Sequence, residues 1–520
     1  MNDLPIIDLS VILLYLLVMI LVGVWFSRKN TTSDQFTKAM GSIPGWAVGI
    51  SLYATFLSSN TFIGVPGKAF GGNWNAFVFS LSMPLAAWVA SKYFVPFYRM
   101  SSEVSAYTHL EKRFGPWARS YAVICFLLTQ LARMGSIFFG IAISLQALTG
   151  YSMVMIMLVM GICIVIYTVL GGIEAVIWTE VAQAVLLTIG AILILVLVVK
   201  NVPGGFEKIT NIGIADNKFS LGSFSLDLTT STFWVILLYG FFINLNNFGI
   251  DQNYVQRYHA ATSEKEASKS IWLCVKLYVP ISFLFFLIGT CLYGFYMENP
   301  ELTEVIKMQA AADRLPLGAS SSEIASIAAT LNPEDYGDKV MPHFMVNMIP
   351  VGLVGLLISA ILSAAMSTIS SGMNASATVF SEDIYKRYVN PSMTEKGKLR
   401  LLYIATTVFG ILGMVTGIAM IGVKSILDVW WELSGIFAGG MLGLFLLGII
   451  CKRAGNSDAV IATIAGILVI IWMTFSYLIP DEFVMLRNPL HANMVIVIGT
   501  LAIFLIGSLS TKLRLARRLE

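Results

Sequence analysis

Charge is scarce in this chain. Asp, Glu, Lys and Arg make up 12% of its 520 residues and hydrophobic residues 57%, whereas a soluble domain carries about a quarter charged residues. The shortage excludes an ordinary water-soluble fold. Cysteine is scarce too: Cys125, Cys163, Cys274, Cys291 and Cys451 lie in or beside apolar runs without C-x-x-C spacing, which indicates neither a disulfide framework nor a metal site. The four histidines, His109, His259, His343 and His491, are scattered, so no zinc cluster or nucleophilic triad is indicated. The chain has no Walker glycine loop, which argues against an ATP-driven pump. It has no sizeable soluble output domain, which argues against a receptor. No nucleophile, base and oxyanion donor fall in a recognisable motif, so an enzyme is not expected. No nucleic-acid partner and no obligatory protein partner are indicated.

What the chain has in abundance is apolar runs of roughly the 20 residues a bilayer requires. They fall near 6–26, 45–67, 74–98, 118–148, 152–170, 174–199, 231–250, 270–297, 343–383, 399–422, 425–450, 457–479 and 491–510. This is an all-α polytopic membrane protein with about thirteen spans, in contact with lipid along most of its length. The first run is preceded by Asp3 and Asp8, followed by Arg28 and Lys29, and lacks a small-residue cleavage site, so it reads as a retained span and not a signal peptide. Basic residues concentrate in alternate connections, including Arg99, Lys112, Arg113, Arg119, Arg257, Lys386, Arg387, Lys452 and Arg453. By the positive-inside rule those connections are cytoplasmic, which puts the N-terminus outside and the C-terminus inside. The long connections 200–230 and 298–342 then lie outside, as lids of loop and short helix.

Two stretches are too polar for plain spans. Ser51 to Gly67 carries Thr55, Ser58, Ser59, Asn60 and Thr61, then Gly64, Pro66 and Gly67. A helix broken at membrane depth is tolerated where it faces protein or a watery cavity, and its freed carbonyls and half-helix end suit a cation and an anion. The alternative is a polar kink that only packs. In Ser359 to Ser381, polar residues recur at 359, 363, 367, 370, 371, 374, 378 and 381, steps of three or four along one helix face. That face offers hydroxyl oxygens to a hard cation, or else is a small-residue seam for tight packing.

Few charges fall within the spans. Arg133, near the centre of the 118–148 run, costs about 2.5 to 3.5 kcal/mol at that depth on insertion scales. It needs a partner: an anionic solute, a carboxylate or broken-helix carbonyls. Glu180, deeper than Glu174, is a second cation site, a proton-relay group or an interfacial acid. Lys92 and Lys276 sit near span ends and are expected to snorkel. Asp428 and Glu432, with Trp430 and Trp431 between them, read as an outer vestibule or belt.

The stretches ATFLSSNTFIGVPGKAF at 54–70, YTVLGGIEAVIWTEVAQ at 167–183, DQNYVQRY at 251–258 and MSTISSGMNASATVFSEDIY at 366–385 resemble the sodium/solute symporter family over nearly the whole chain. The bacterial sialic acid symporters look closest. The resemblance implies a LeuT-like fold of two inverted five-helix repeats. The divisions are 1–44 (an extra helix and inner loop), 45–230 and 231–450 (the repeats), and 451–520 (two further helices and a tail), in a bacterial inner (plasma) membrane. It implies Na+ as coupling ion, one or two per cycle. The first ion falls on the carbonyls of Ala54, Leu57 and Ala364 and the hydroxyls of Ser367 and Thr368. A second falls on Glu180, Ser370 and Ser371, where the family usually has Asp at the first of these. For substrate it implies the polar break, Ser58, Ser59, Asn60 and Thr61, with Arg133. Phe56 and Ser80 stand where the sialic acid carriers have threonine and glutamine. The expected activity is sodium-coupled symport of a small organic solute, a carboxylate such as sialic acid, by alternating access. The alternatives are a sodium symporter for a sugar or other neutral solute and, in a different class, a passive channel or facilitator.

Overall fold

The computed structural model describes residues 5–28, 31–100, 103–315, 319–421 and 426–517, with the side chains of 147–148 and 426–434 outside that description. Asp428, Trp430, Trp431 and Glu432, expected at a vestibule, therefore lie outside the described side chains. Among the described residues all regular structure is helical, apart from one bridge between Ile43 and Ala261.

Ten helices among the described residues are long and apolar enough to cross a membrane. An eleventh crossing is made by Gly45–Phe56 and Ser59–Gly71, bent by 56°. Two features bear on the thirteen expected. Met153–Lys200 runs for 48 residues, about 70 Å at the helical rise, over twice the roughly 30 Å hydrocarbon thickness. Gly172 interrupts it at φ +58°, a left-handed angle that glycine adopts without a Cβ penalty. Ile426–Ile450 is the other, with only its Gly435–Ile450 part among the described apolar helices.

The expected 343–383 span is corrected: it begins at Leu353. Residues 343–348 end a separate helix, Pro333–Met348, and Pro350 and Gly352 (φ +90°) separate the two. The long connections, expected as loop and short helix, hold Gly205–Ala215, Pro300–Ala312 and Ser321–Ala328 with irregular chain between. In one of them Lys218 donates from Nζ to the carbonyls of Phe70 (2.7 Å) and Gly72 (3.0 Å), and its Nζ lies 3.7 Å from the ring centre of Tyr293. It thereby caps the end of Ser59–Gly71, where helix carbonyls lack intrahelical partners.

The centre of the bundle is the serine-rich helix Leu353–Val379, in which every residue from Leu357 to Val379 is buried. By contrast only five of the 22 residues of the first helix, Ile6–Ser27, are buried, as in a lipid-facing helix. Small side chains allow this centrality, because helices pack closely where Ser, Ala and Gly meet. A Cβ on Gly190 would stand 2.7 Å from Ala360 Cβ. The polar residues expected along one face, 359, 363, 367, 370, 371, 374 and 378, are all buried, and so are Thr368 and Ser376 off that face. Several hydroxyls serve the helix itself: Ser359, Ser363 and Thr378 each donate at 2.8 Å to the carbonyl four residues earlier.

Candidate functional site

The first broken span opens at Leu57 (φ −89°, ψ 124°) and Ser58 (φ −131°, ψ 175°), both extended. Ser58 N–H donates to Thr61 Oγ1 at 3.4 Å, and the Ser58 carbonyl accepts from the N–H groups of Thr61 and Phe62 at 3.0 and 3.1 Å. Hydroxyl residues at the start of a helix supply such partners for groups the helix leaves unpaired. The cluster that marked this stretch in the sequence thus stabilises the break.

Against the break lies the serine-rich helix. Ser367 Oγ donates to the carbonyls of Ala54 (3.3 Å) and Ala364 (3.0 Å), and Thr368 Oγ1 to those of Leu57 (3.1 Å) and Ala364 (3.3 Å). Three carbonyls and two hydroxyls therefore converge from two helices. The donor set, neutral oxygens without nitrogen or sulfur, fits a hard monovalent cation. With such an ion present the hydroxyl protons would turn away and the lone pairs inward.

Beside this cage is a cavity of about 90 Å³ lined by Phe56, Ser58, Asn60, Thr61, Ser80 and Arg133. Six of the seven residues expected to bind solute thus meet at one place. Ser59 is the correction: it is fully buried and is not among the cavity's lining residues, its hydroxyl donating to the Ile137 carbonyl at 3.2 Å. Asn60 Nδ2 donates to Ser136 Oγ at 3.2 Å. Ser80 and Ser282 pair at 2.7 Å. Phe56 packs against Phe248, Tyr254 and Tyr278 with ring centres 5.0 to 5.3 Å apart, forming an aromatic wall.

The sequence reading missed Lys68, Tyr239, Asn247 and Tyr278, which also line this cavity. The place of Lys68 three turns after the break is the sequence signal for it. Two cationic residues, Arg133 and Lys68, and no carboxylate lie among the described lining residues. Arg133 donates from Nη2 to the Thr55 carbonyl at 2.7 Å, so its charge is partnered by broken-helix backbone while it faces the cavity.

A second interruption falls at Asp251 (φ −75°, ψ 125°), between Phe233–Ile250 and Gln252–Ala260. The polar run NLNNFGIDQN at 244–253 was the signal for it. Asp251 accepts from Asn253 N and Nδ2 at 2.8 and 2.7 Å and from Gln130 Nε2 at 3.2 Å.

Glu180 is fully buried and ion-paired to Arg257, whose Nη2 stands 2.8 Å from both carboxylate oxygens. The hydroxyls of Ser51 and Ser371 also donate to Glu180. Arg257 itself was read only as a connection charge. Glu180 and Ser371 are thus brought together as expected, but Ser370 is not: its hydroxyl turns to the Ser367 carbonyl at 3.1 Å. Glu174 accepts from Gln35 at 2.7 Å. Lys92 lies over the rings of Trp88 and Tyr93 at 5.2 and 5.5 Å, as a snorkelling lysine does.

A helical membrane bundle with one span broken beside a polar cavity, and another helix ending at the buried Asp251, has the make-up of a secondary transporter with discontinuous helices. The chain belongs to the sodium:solute symporter family, whose pattern matches residues 36–466. Among its relatives are the sodium/sialic acid symporter NanT of Aliivibrio fischeri, 34% identical over 95% of this chain and 91% of that protein. The sodium/sialic acid symporter SiaT of Proteus mirabilis is 34% identical over 91% of this chain and 90% of that one. The solved substrate-bound outward-open structure of a Na+-coupled sialic acid symporter superposes with a TM-score of 0.85 at 30% identity, covering 98% of both chains. Mhp1, a nucleobase-cation symporter, shares the fold at a TM-score of 0.53 and 12% identity.

Proposed function

We propose that this chain couples sodium entry to uptake of a small organic anion, with a sialic acid the foremost example, by alternating access. The carrying observation is adjacency: the five-oxygen cage of Ala54, Leu57, Ala364, Ser367 and Thr368 and the cavity of Arg133 share one broken helix. In this reading the cage takes sodium. The polar rim of Ser58, Asn60 and Thr61 orients the solute, and Arg133 and Lys68 attract its carboxylate. Phe56 and Ser80 make the pocket less polar on one side, so an apolar part of the solute packs against the aromatic wall. Sialic acid transport by relatives alike over almost the whole chain supports the same solute class.

A ligand shifts a conformational equilibrium only through its different affinity for the two states. Sodium bridging the break and the serine-rich helix favours the state in which the two are in contact, and that state holds the solute site together. One sodium ion entering down about 100 mV releases about 2.3 kcal/mol, and a tenfold concentration ratio adds about 1.4 kcal/mol. For a monoanion carried with one sodium, the electrical part cancels.

The topology that goes with this reading has thirteen crossings, with Met153–Lys200 counted as two, arranged as inverted repeats over 45–230 and 231–450. The N-terminus is outside, the C-terminus is in the cytoplasm, and the chain lies in a bacterial plasma membrane. Transport without covalent chemistry goes with it, and so does the absence of an obligatory protein partner. The test is uptake into proteoliposomes from a panel of sialic acids, monocarboxylates, sugars and amino acids, with sodium and voltage varied separately. Sodium-driven accumulation of a carboxylate supports the proposal. Sodium-independent equilibration would mean a facilitator, and preference for neutral sugars would mean a sugar carrier.

A further inference from the structure

The surroundings of Glu180 are an oxygen site already filled. Two carboxylate oxygens and the hydroxyls of Ser51 and Ser371 gather there, the oxygen set a hard cation takes. What they hold is the Arg257 guanidinium: Nη2 on both Glu180 oxygens at 2.8 Å and on Ser371 Oγ at 2.6 Å, and Nε on Ser51 Oγ at 2.7 Å. Its remaining nitrogen, Nη1, donates to the Asn253 carbonyl at 2.5 Å. All three nitrogens are committed, and both charged side chains are at most 1% exposed.

Charge balance points the same way. Of the buried ionic groups around the two breaks, Arg133 and Arg257 are matched by Glu180 and Asp251. A second mobile cation at Glu180 would leave a net positive charge in a dry interior, which is unfavourable without a counter-ion. The length of the glutamate decides the contact. An aspartate at 180 would withdraw the carboxylate by about 1.5 Å, one C–C bond, and open a gap between it and the guanidinium.

We propose that Arg257 is a tethered cation occupying Glu180, so that this carrier moves one sodium ion per solute, through the cage at Ala54, Leu57, Ala364, Ser367 and Thr368. The proposal rests on the sodium-symport reading above. Arg257 is a positioning residue here. It touches neither the cage nor the solute cavity, and it joins four elements: Gly45–Phe56, Met153–Lys200, Gln252–Ala260 and Leu353–Val379. Its further consequence is electrical. With one sodium ion and one monocarboxylate, net charge does not move.

The test is coupling stoichiometry in proteoliposomes, with N-acetylneuraminate as probe, opposing sodium and solute gradients, and potassium with valinomycin to set the voltage. Wild-type protein is expected to show one sodium per solute, a hyperbolic sodium response and uptake indifferent to voltage. Glu180→Asp and Arg257→Gln are expected to give sigmoidal sodium activation with a Hill coefficient approaching 2 and uptake stimulated by an inside-negative potential. Arg257→Lys should retain one-ion behaviour. Two sodium ions per solute in the wild type overturn the proposal without needing any variant to fold. So does a transport-competent Glu180→Asp protein that stays at one ion. Wild-type uptake indifferent to sodium overturns the symport reading itself, and is distinguishable from both.

Discussion

The Thr55 carbonyl accepts from Arg133 at 2.7 Å, and the carbonyl just before it, on Ala54, accepts from Ser367 at 3.3 Å. The solute cavity and the oxygen cage are therefore one residue apart along a single unwinding turn. Movement of either carbonyl is felt by the other.

Replacing Ser367 and Thr368 together by alanine removes two of the five cage oxygens. At about 1 kcal/mol for each lost polar contact, the sodium concentration for half-maximal uptake should rise roughly thirtyfold or more, with membrane insertion intact. Sodium titration of uptake alongside surface quantification measures this. An unchanged titration would remove the cage from the coupling path.

Arg133→Ala should lower carboxylate uptake by roughly ten- to a hundredfold, the equivalent of one hydrogen bond to a charged group, and spare an analogue whose carboxylate is reduced to an alcohol. Equal loss of both compounds would mean that the arginine serves only to hold Thr55.

Lys68→Gln should raise the KM for an anionic solute several-fold, and the effect should shrink as ionic strength rises, because a partly exposed charge is screened. Sodium activation measured at saturating solute should not change. A salt-independent effect would point to packing.

The break at Leu57 and Ser58 was legible because hydroxyl, amide, glycine and proline residues crowd an otherwise apolar run. The cage followed from the family resemblance together with the hydroxyls at Ser367 and Thr368. What escaped the sequence was pairing across space. Arg257 and Glu180 are 77 residues apart and Arg257 and Ser51 206 apart, and a basic residue close to a span end looks the same whether it points to water or inward. Ser59 shows the same limit at close range. Its neighbours Ser58 and Asn60 line the cavity, and helical rotation alone turns it onto Ile137.

His109, in the short helix Thr108–Phe114, stands edge-on to Phe97 with ring centres 4.7 Å apart. Burial, and next the charge of Arg113, push its imidazole down to about 4. The folded protein therefore takes up this proton less readily than the unfolded chain. Stability is unaffected above the unfolded value near 6.5 and falls as pH drops from there toward 4. Thermal unfolding in detergent should show this loss between pH 6.5 and 4, and His109→Gln should lessen it without abolishing it, since burial pushes His259 down to about 4 as well. An identical slope in the variant would assign the acid sensitivity elsewhere.

Lys218 clasps the last carbonyls of Ser59–Gly71 from a connecting loop. Any swing of that half-helix during turnover must drag the loop along as a passenger. A binder gripping residues 216–223 would thus brake the carrier from its surface, slowing translocation while leaving the solute chamber vacant and its chemistry untouched.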